Sequence, residues 1–356
     1  MKGVILSGGL GTRLRPFSYS LAKQLIPIAN KPVLFYLIEK LVDVGVNEIG
    51  IVVGDTKEMV IREVGDGSQW NAKITYLFQD KPLGLADAVN TARDFTGKED
   101  FIVLLGDNLL KEEFGSFIYR FKINKMDAQI HLYRVKDPSR YGVAVLDEEG
   151  RIERLIEKPK DFVSNYAITG IYIFSKSIFD AIENIKPSAR GELEITDAIQ
   201  YLLLNGYKVG CEFLKDWWID IGTPQDVLEA NRKVLSDLSY YVHDGIDLGS
   251  ITGIVNISDK AVIINSKIRG PVIIGDGCHI ENSYVGPYTS IGNNVFIQNC
   301  EVENSILFNE VTIRNIDFRI DVSIIGKKAI IEKKDLIPRA NSFFLGNNDI
   351  LYFTSD

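Results

Sequence analysis

Cysteine, long apolar runs and surplus positive charge are scarce in this sequence, and each scarcity removes a class of protein. Its three cysteines, Cys211, Cys278 and Cys300, are scattered and never spaced as C-x-x-C. That pattern gives no metal-ligand spacing and reads as reduced thiols in a reducing compartment. The opening run, MKGVILSGG, breaks at glycines too soon for a signal-peptide core or a membrane span, and no later run reaches span length. Lysine and arginine number 40 against 48 aspartates and glutamates, a net charge of -8. Such a balance argues against a broad nucleic-acid-binding face. The expectation is a cytoplasmic protein with no nucleic acid and no membrane among its partners.

The rest of the composition is that of a soluble globular protein, and 356 residues suffice for two domains. Up to about residue 240 the chain alternates strands and helices. Lys2–Ser7, Glu48–Val53, Ile74–Phe78 and Phe101–Leu105 are short apolar runs, while Pro32–Val44, Gly84–Arg93 and Gln225–Leu238 read as helices. Short β-branched-rich runs, apolar on both faces, are what buried parallel strands look like. The alternation predicts an α/β fold with a mostly parallel sheet, its ligands beyond the carboxyl ends of the strands. The glycine loop at Gly8–Arg15 and Gly106–Asn108 fall at such ends.

Past residue 245 the texture changes. Isoleucine or valine recurs every five or six residues from Ile251 to Val302, and Asn265-Ser266 returns as Asn282-Ser283 and Asn299-Cys300. A hexapeptide period gives one short strand per face of a triangular coil, with the apolar residue inward. A left-handed β-helix over residues 241–356 is therefore expected, with a small β-sandwich as the alternative. Asp335–Asp356 reads as a capping tail, and residues 1–240 form the other domain.

Three stretches carry chemistry. Gly8-Gly9-Leu10-Gly11-Thr12-Arg13 follows the first strand; its glycines let backbone N–H groups approach phosphate oxygens. It ends in neither G-K-[ST] nor a third spaced glycine, so it is neither a Walker loop nor a dinucleotide fingerprint. Arg13 and Lys23 beside it could neutralise a phosphoryl transition state, or could be a solvated basic loop. Asp107 ends an apolar strand and Asp220 sits in the apolar run Trp217–Ile221. Two such carboxylates could share one Mg²⁺, or could be strand-end caps.

With Glu157-Lys158-Pro159, Gln79 ahead of Pro82–Ala86, Asn165–Tyr172 and Gly191–Asp197 added, the set is recognisable. It resembles the sugar-1-phosphate nucleotidyltransferases, most closely the glucose-1-phosphate thymidylyltransferases, with every signature block in order from residue 1 to about 237. Ser323–Gly326, Pro338–Ala340 and Leu345–Asn348 are similar to the tail of that family's long form. The resemblance implies a Rossmann-like mixed α/β sheet followed by an all-β left-handed parallel β-helix. It implies a magnesium-dependent reaction of dTTP with glucose 1-phosphate, giving dTDP-glucose and pyrophosphate, in a homo-oligomer. Gly8, Gly11, Thr12 and Arg13 would bind the triphosphate, and Lys23 would help neutralise it. Gln79, Gly84 and Leu85 would hold the base, and Asp107 and Asp220 the Mg²⁺. Tyr141, Gly142, Glu157, Lys158, Asn165 and Thr196 would form the sugar-phosphate pocket.

No histidine or cysteine lies in these blocks, which agrees with a single in-line displacement that needs no general base. UTP or another sugar 1-phosphate would be an alternative substrate. His279, inside the coils, is the one candidate base for a second, acetyltransferase-type activity; a packed or solvated histidine is the other reading. A non-catalytic regulatory or scaffold subunit shares this architecture, but here the charged residues are all present.

Overall fold

The computed structural model describes residues 1–9 and 11–334. It divides into two compact units. One comprises Met1–Leu10, Ala22–Leu25 and Val33–Asp220; the other comprises Gly11–Leu21, Ile26–Pro32 and the chain from Ile221 onward. The expected capping tail, with the Pro338–Ala340 and Leu345–Asn348 motifs, lies outside the described residues. No helix among the described residues is long and apolar enough to cross a membrane.

The first unit is built on a nine-stranded sheet. Its strands are β1 (Lys2–Ser7), β2 (Glu48–Val53), β3 (Lys73–Phe78), β4 (Phe101–Leu105), β5 (Ala128–Arg134), β6 (Gly142–Leu146), β7 (Ile152–Glu157), β8 (Tyr166–Phe174) and β9 (Val209–Phe213). The path is β7-β6-β8-β4-β1-β2-β3, with β5 also on β8 and β9 on β5. From β4 to β3 the strands are parallel, as the apolar runs predict. The other half is not: β8 is antiparallel to β4, β5 and β6, and β6 to β7. Between β6 and β7 lies only a turn in which Gly150 N–H donates to the Asp147 carbonyl, too short for a parallel crossover. The sheet is mixed.

Helices cover both faces. The core joins Val4, Val103 and Ile130 of the sheet to Val89, Ile178 and Ala198 of α3 (Leu85–Thr91), α5 (Ser177–Asn184) and α6 (Ile195–Leu204). Preceding and separating these are α1 (Val33–Asp43), α2 (Lys57–Val64) and α4 (Gly115–Ile123). α1 buries Leu34, Leu37, Ile38 and Leu41 at helical spacing. Leu41 comes so close that a Cβ on Gly3 would lie 2.8 Å from its Cδ1, so the glycine lets helix and strand meet.

In the second unit, α7 (Pro224–Ser236) opens with a capping box between Thr223 and Asp226. The coils that follow are three five-stranded parallel sheets, the left-handed β-helix. Val255 pairs with Val272, Ile263 with Ile280 and Ile268 with Val285, each 17 residues on. Ile257, Ile268, Ile274, Ile280, Val285, Ile291, Ile297 and Val302 point into one buried core. The Asn-Ser repeat is explained by the corners. Asn265, Asn282 and Asn299 adopt φ of 45°, 48° and 54°, left-handed values that asparagine tolerates. The residue after each is buried; Ser283 N–H donates to Ser266 Oγ at 3.0 Å, and Cys300 N–H to Ser283 Oγ at 3.2 Å. His279 stacks on Phe296 with ring centroids 5.1 Å apart.

Candidate functional site

Asp107 follows β4, and the chain then forms a short strand, Asn108–Leu110, paired antiparallel with Trp218–Asp220 so that Asp220 stands opposite Asn108. The Asn108 Nδ2 group donates to Asp107 Oδ1 at 2.9 Å and to Asp220 Oδ1 at 3.4 Å. Its own orientation is fixed, because Asn108 Oδ1 accepts from Gly170 N–H at 3.1 Å and from Trp218 Nε1–H at 2.6 Å. A side chain on Gly170 would bring a Cβ within 2.5 Å of that oxygen. Two carboxylates therefore converge under one amide. This donor set fits a Mg²⁺ ion, which takes one or two carboxylates and completes its shell with water and phosphate. Among the described residues no group of three or more His, Cys, Asp or Glu could hold an ion. Lys23, nearly buried, forms an ion pair with the other oxygen of Asp107. Ser7 Oγ, beside Gly8, is a buried hydroxyl without a partner and could donate to a phosphate oxygen, whereas Gln24 Oε1, beside Lys23 and likewise unpartnered, is an acceptor that calls for a donor.

Gln79 stands just past β3. Its Nε2 group donates to Asp87 Oδ2 at 2.8 Å, which turns the amide oxygen towards Gly8, 3.1 Å from where a Cβ would be. Gly84 precedes α3 with φ +115°, and a Cβ there would meet the Leu193 carbonyl oxygen at 2.4 Å. Only glycine fits. Leu85, the first residue of α3, packs against the core.

On the antiparallel side of the sheet, Glu157 closes β7. Thr196 Oγ1 donates to Glu157 Oε2 at 2.6 Å, and a Cβ on Gly142 would lie 3.0 Å from both atoms. Lys158 takes φ 39°, its N–H donates to the Tyr141 carbonyl at 3.0 Å, and its Nζ is 3.6 Å from Glu157 Oε1. Tyr141 packs edge-on against Trp218, the residue that steadies Asn108. Asn165, at the foot of β8, accepts Val135 N–H at 3.0 Å on its carbonyl. Burial, and then the charges of Glu157 and Asp220, push the Tyr172 phenol up, so both carboxylates bear on one buried ring.

Arg13 and its neighbours Gly11 and Thr12 lie in the second unit. Gly11 takes φ 62° and caps a turn at Thr12–Leu14, with Leu14 buried and Arg13 exposed. Sequence reading missed three residues. Asn108 and Trp218 orient the carboxylates, and Arg190 bonds Glu194 at 2.8 Å and Glu157 at 3.3 Å. The available signal was position: Asn108 and Trp218 lie within the Gly106–Asn108 and Trp217–Ile221 stretches, and Arg190 borders the Gly191–Asp197 block.

The comparisons with known proteins cover almost the entire chain. A family model described as nucleotidyl transferase matches residues 2–237. The low-salt glycan biosynthesis nucleotidyltransferase Agl11 of Haloferax volcanii is 44% identical over 356 residues, spanning 99% of each chain. A glucose-1-phosphate thymidylyltransferase of Streptomyces griseus is 42% identical over 349 residues, 98% of each chain. A solved Bacillus anthracis structure in complex with sucrose superposes at a TM-score of 0.63 with 35% identity, over 68% of this chain and 98% of that one. Because the family model spans residues 2–237 and relatives more than 40% identical span nearly the whole chain, the chain belongs to the nucleotidyl transferase family.

Proposed function

We propose that this protein transfers a thymidylyl group from dTTP to glucose 1-phosphate, releasing pyrophosphate. The observation that carries the reading is end-to-end similarity, 42% over 98% of both chains, to a glucose-1-phosphate thymidylyltransferase. The Gln79 amide supports it. With its nitrogen engaged by Asp87, the oxygen is the atom turned to the loop. An acceptor there suits the N3–H of thymine or uracil, whereas cytosine N3 and adenine N1 are themselves acceptors. Discrimination against UTP then rests on one methyl group, worth ~1–3 kcal/mol.

The reaction is one in-line displacement. A phosphate oxygen of glucose 1-phosphate forms a bond to the α-phosphorus of dTTP as the bond to the bridging oxygen of pyrophosphate breaks, and pyrophosphate leaves with the electron pair. The attacking phosphate is already an anion, so no base has to remove a proton. The protein positions the partners and neutralises charge. Gly8, Gly11 and Thr12 cradle the triphosphate, Arg13 and Lys23 offset its charge, and Gly84 and Leu85 border the base. Glu157, oriented by Thr196, accepts sugar hydroxyls beside Tyr141, Gly142 and Asn165, while Lys158 holds the sugar phosphate. Asp107 and Asp220 would hold Mg²⁺, which supplies charge neutralisation at the phosphates.

In this reading residues 1–240 are the catalytic part and 241–356 the β-helix with its cap. Self-association would use the outer face of the coils, where Val262, Ile264 and Ile330 are exposed. The cytoplasm, where nucleoside triphosphates and sugar phosphates occur together, is the site of action. The test is phosphorus NMR of an incubation with dTTP, glucose 1-phosphate and Mg²⁺. Equal amounts of dTDP-glucose and pyrophosphate are expected, with both abolished by EDTA; hydrolysis of dTTP without a sugar nucleotide would overturn the reading.

A further inference from the structure

The chain from Gly11 to Pro32 leaves the first unit for the second everywhere except at Ala22–Leu25. The reason lies in side chains that reach the coils. Phe17 sits against Phe308, ring centroids 5.9 Å apart, and its Cε1 is 3.9 Å from where a Cβ on Gly326 would stand. Phe308 is 8% exposed, so this aromatic pair is largely removed from water. The next residue, Ser18, donates its hydroxyl to the Gly11 carbonyl at 2.7 Å, and the same carbonyl accepts Leu14 N–H at 2.9 Å. The turn bearing Arg13 is therefore closed on itself at Gly11 and pinned to the β-helix at Phe17.

The second stretch is held as firmly. Ala29 N–H donates to Asn231 Oδ1 at 2.9 Å, Ser290 Oγ donates to the same oxygen at 2.7 Å, and Asn231 Nδ2 donates to the Tyr288 carbonyl at 3.1 Å. Asn30 Nδ2 donates to the Ile291 carbonyl at 2.7 Å. Asn231 is completely buried, so losing any of these partners would strand a polar atom. Both flanks of the segment that carries Lys23 are thus tied to α7 and the coils.

We propose that the β-helix is a working part of nucleotide binding, with Phe308 as a positioning residue that holds the Arg13 turn through Phe17 and Ser18. The inference rests on the reading of Arg13 as a triphosphate ligand. Phe308 touches no substrate; it restricts the turn, so that less ordering is required when the triphosphate arrives. Its signature is therefore a change in dTTP affinity with little change in the chemical step or in sugar-phosphate binding.

The experiment uses the full chain and compares wild type with Phe308→Ala, Phe17→Ala, the double variant and Phe308→Leu. Two readouts are taken: KM and kcat for each substrate, and equilibrium dTTP binding by calorimetry. The KM and Kd for dTTP should rise roughly three- to tenfold in either alanine variant, the factor expected for one aromatic pair. The double variant should be no worse than either single one, Phe308→Leu should recover most of the loss, and KM for glucose 1-phosphate should not move. Phe318→Ala, an exposed β-helix substitution, should leave dTTP binding alone. Unchanged dTTP affinity in folded Phe308→Ala or, should that variant not fold, in Phe17→Ala, or additive losses in the double variant, would overturn the inference while leaving the activity intact. A wild-type protein that neither binds nor turns over dTTP would overturn the reading beneath it.

Discussion

Asn108 and Asp220, 112 residues apart in sequence, face each other across a two-stranded pair with the Asn108 amide nitrogen 3.4 Å from an Asp220 oxygen. The same nitrogen holds Asp107, so one buried amide sets the separation of two carboxylates. Substituting Asn108→Leu keeps the volume but leaves the Gly170 and Trp218 N–H groups without an acceptor, at a cost of ~1–3 kcal/mol each. A lower thermal midpoint and a higher Mg²⁺ requirement for turnover are expected. If the Mg²⁺ titration matched wild type, the amide would be packing alone.

Asp107→Asn keeps the shape and removes a charge. Turnover should fall about a hundredfold or more, with circular dichroism close to wild type and a lowered thermal midpoint, because the nearly buried Lys23 loses its counter-charge. Pyrophosphate release at the wild-type rate would remove Asp107 from the metal site.

Lys158→Ala separates the two substrates. The side chain is 43% exposed and its ammonium lies 3.6 Å from Glu157 Oε1, so the fold has little at stake. KM for glucose 1-phosphate should rise about tenfold, the worth of a charged hydrogen bond. The KM for dTTP should be unaffected; an equal rise in both would contradict the assignment.

His131 is the residue through which stability should depend on pH. It is fully buried and pushed down to about 4 by burial, against a partial offset from the Ile171 carbonyl, which lies 3.1 Å from Nδ1. The unfolded chain takes up a proton near pH 6.5, where the folded chain does not. The stabilisation is therefore complete above that pH and is lost as pH falls from about 6.5 towards 4, with a slope of at most ~1.4 kcal/mol per pH unit. Urea midpoints should fall over this range in wild type and fall less in His131→Gln. Parallel curves for the two proteins would assign the slope to other groups.

Much of this molecule was legible in its sequence, and the limits have physical causes. The apolar runs ending at Gly8 and Asp107 mark strand ends, because a buried strand must stop being apolar where it meets ligand and water. The Asn-Ser repeat marks the coils, because one corner needs left-handed backbone every turn. Strand direction is different. β8 is as apolar as β1, and an apolar run reads alike in either direction, so the antiparallel half was not visible. Nor was the approach of Asp220 to Asp107, which depends on pairing between distant segments, or the seat of Phe17 on Phe308.

The most direct test of the central claim is the rate of pyrophosphate release with glucose 1-phosphate and Mg²⁺, measured in parallel with dTTP, UTP, CTP, ATP and GTP. The account predicts the highest kcat/KM with dTTP and UTP next, within the ~10–200-fold that a methyl group can provide, while CTP and the purine nucleotides trail both. A preference for ATP, GTP or CTP, or no release with any of the five, would contradict it.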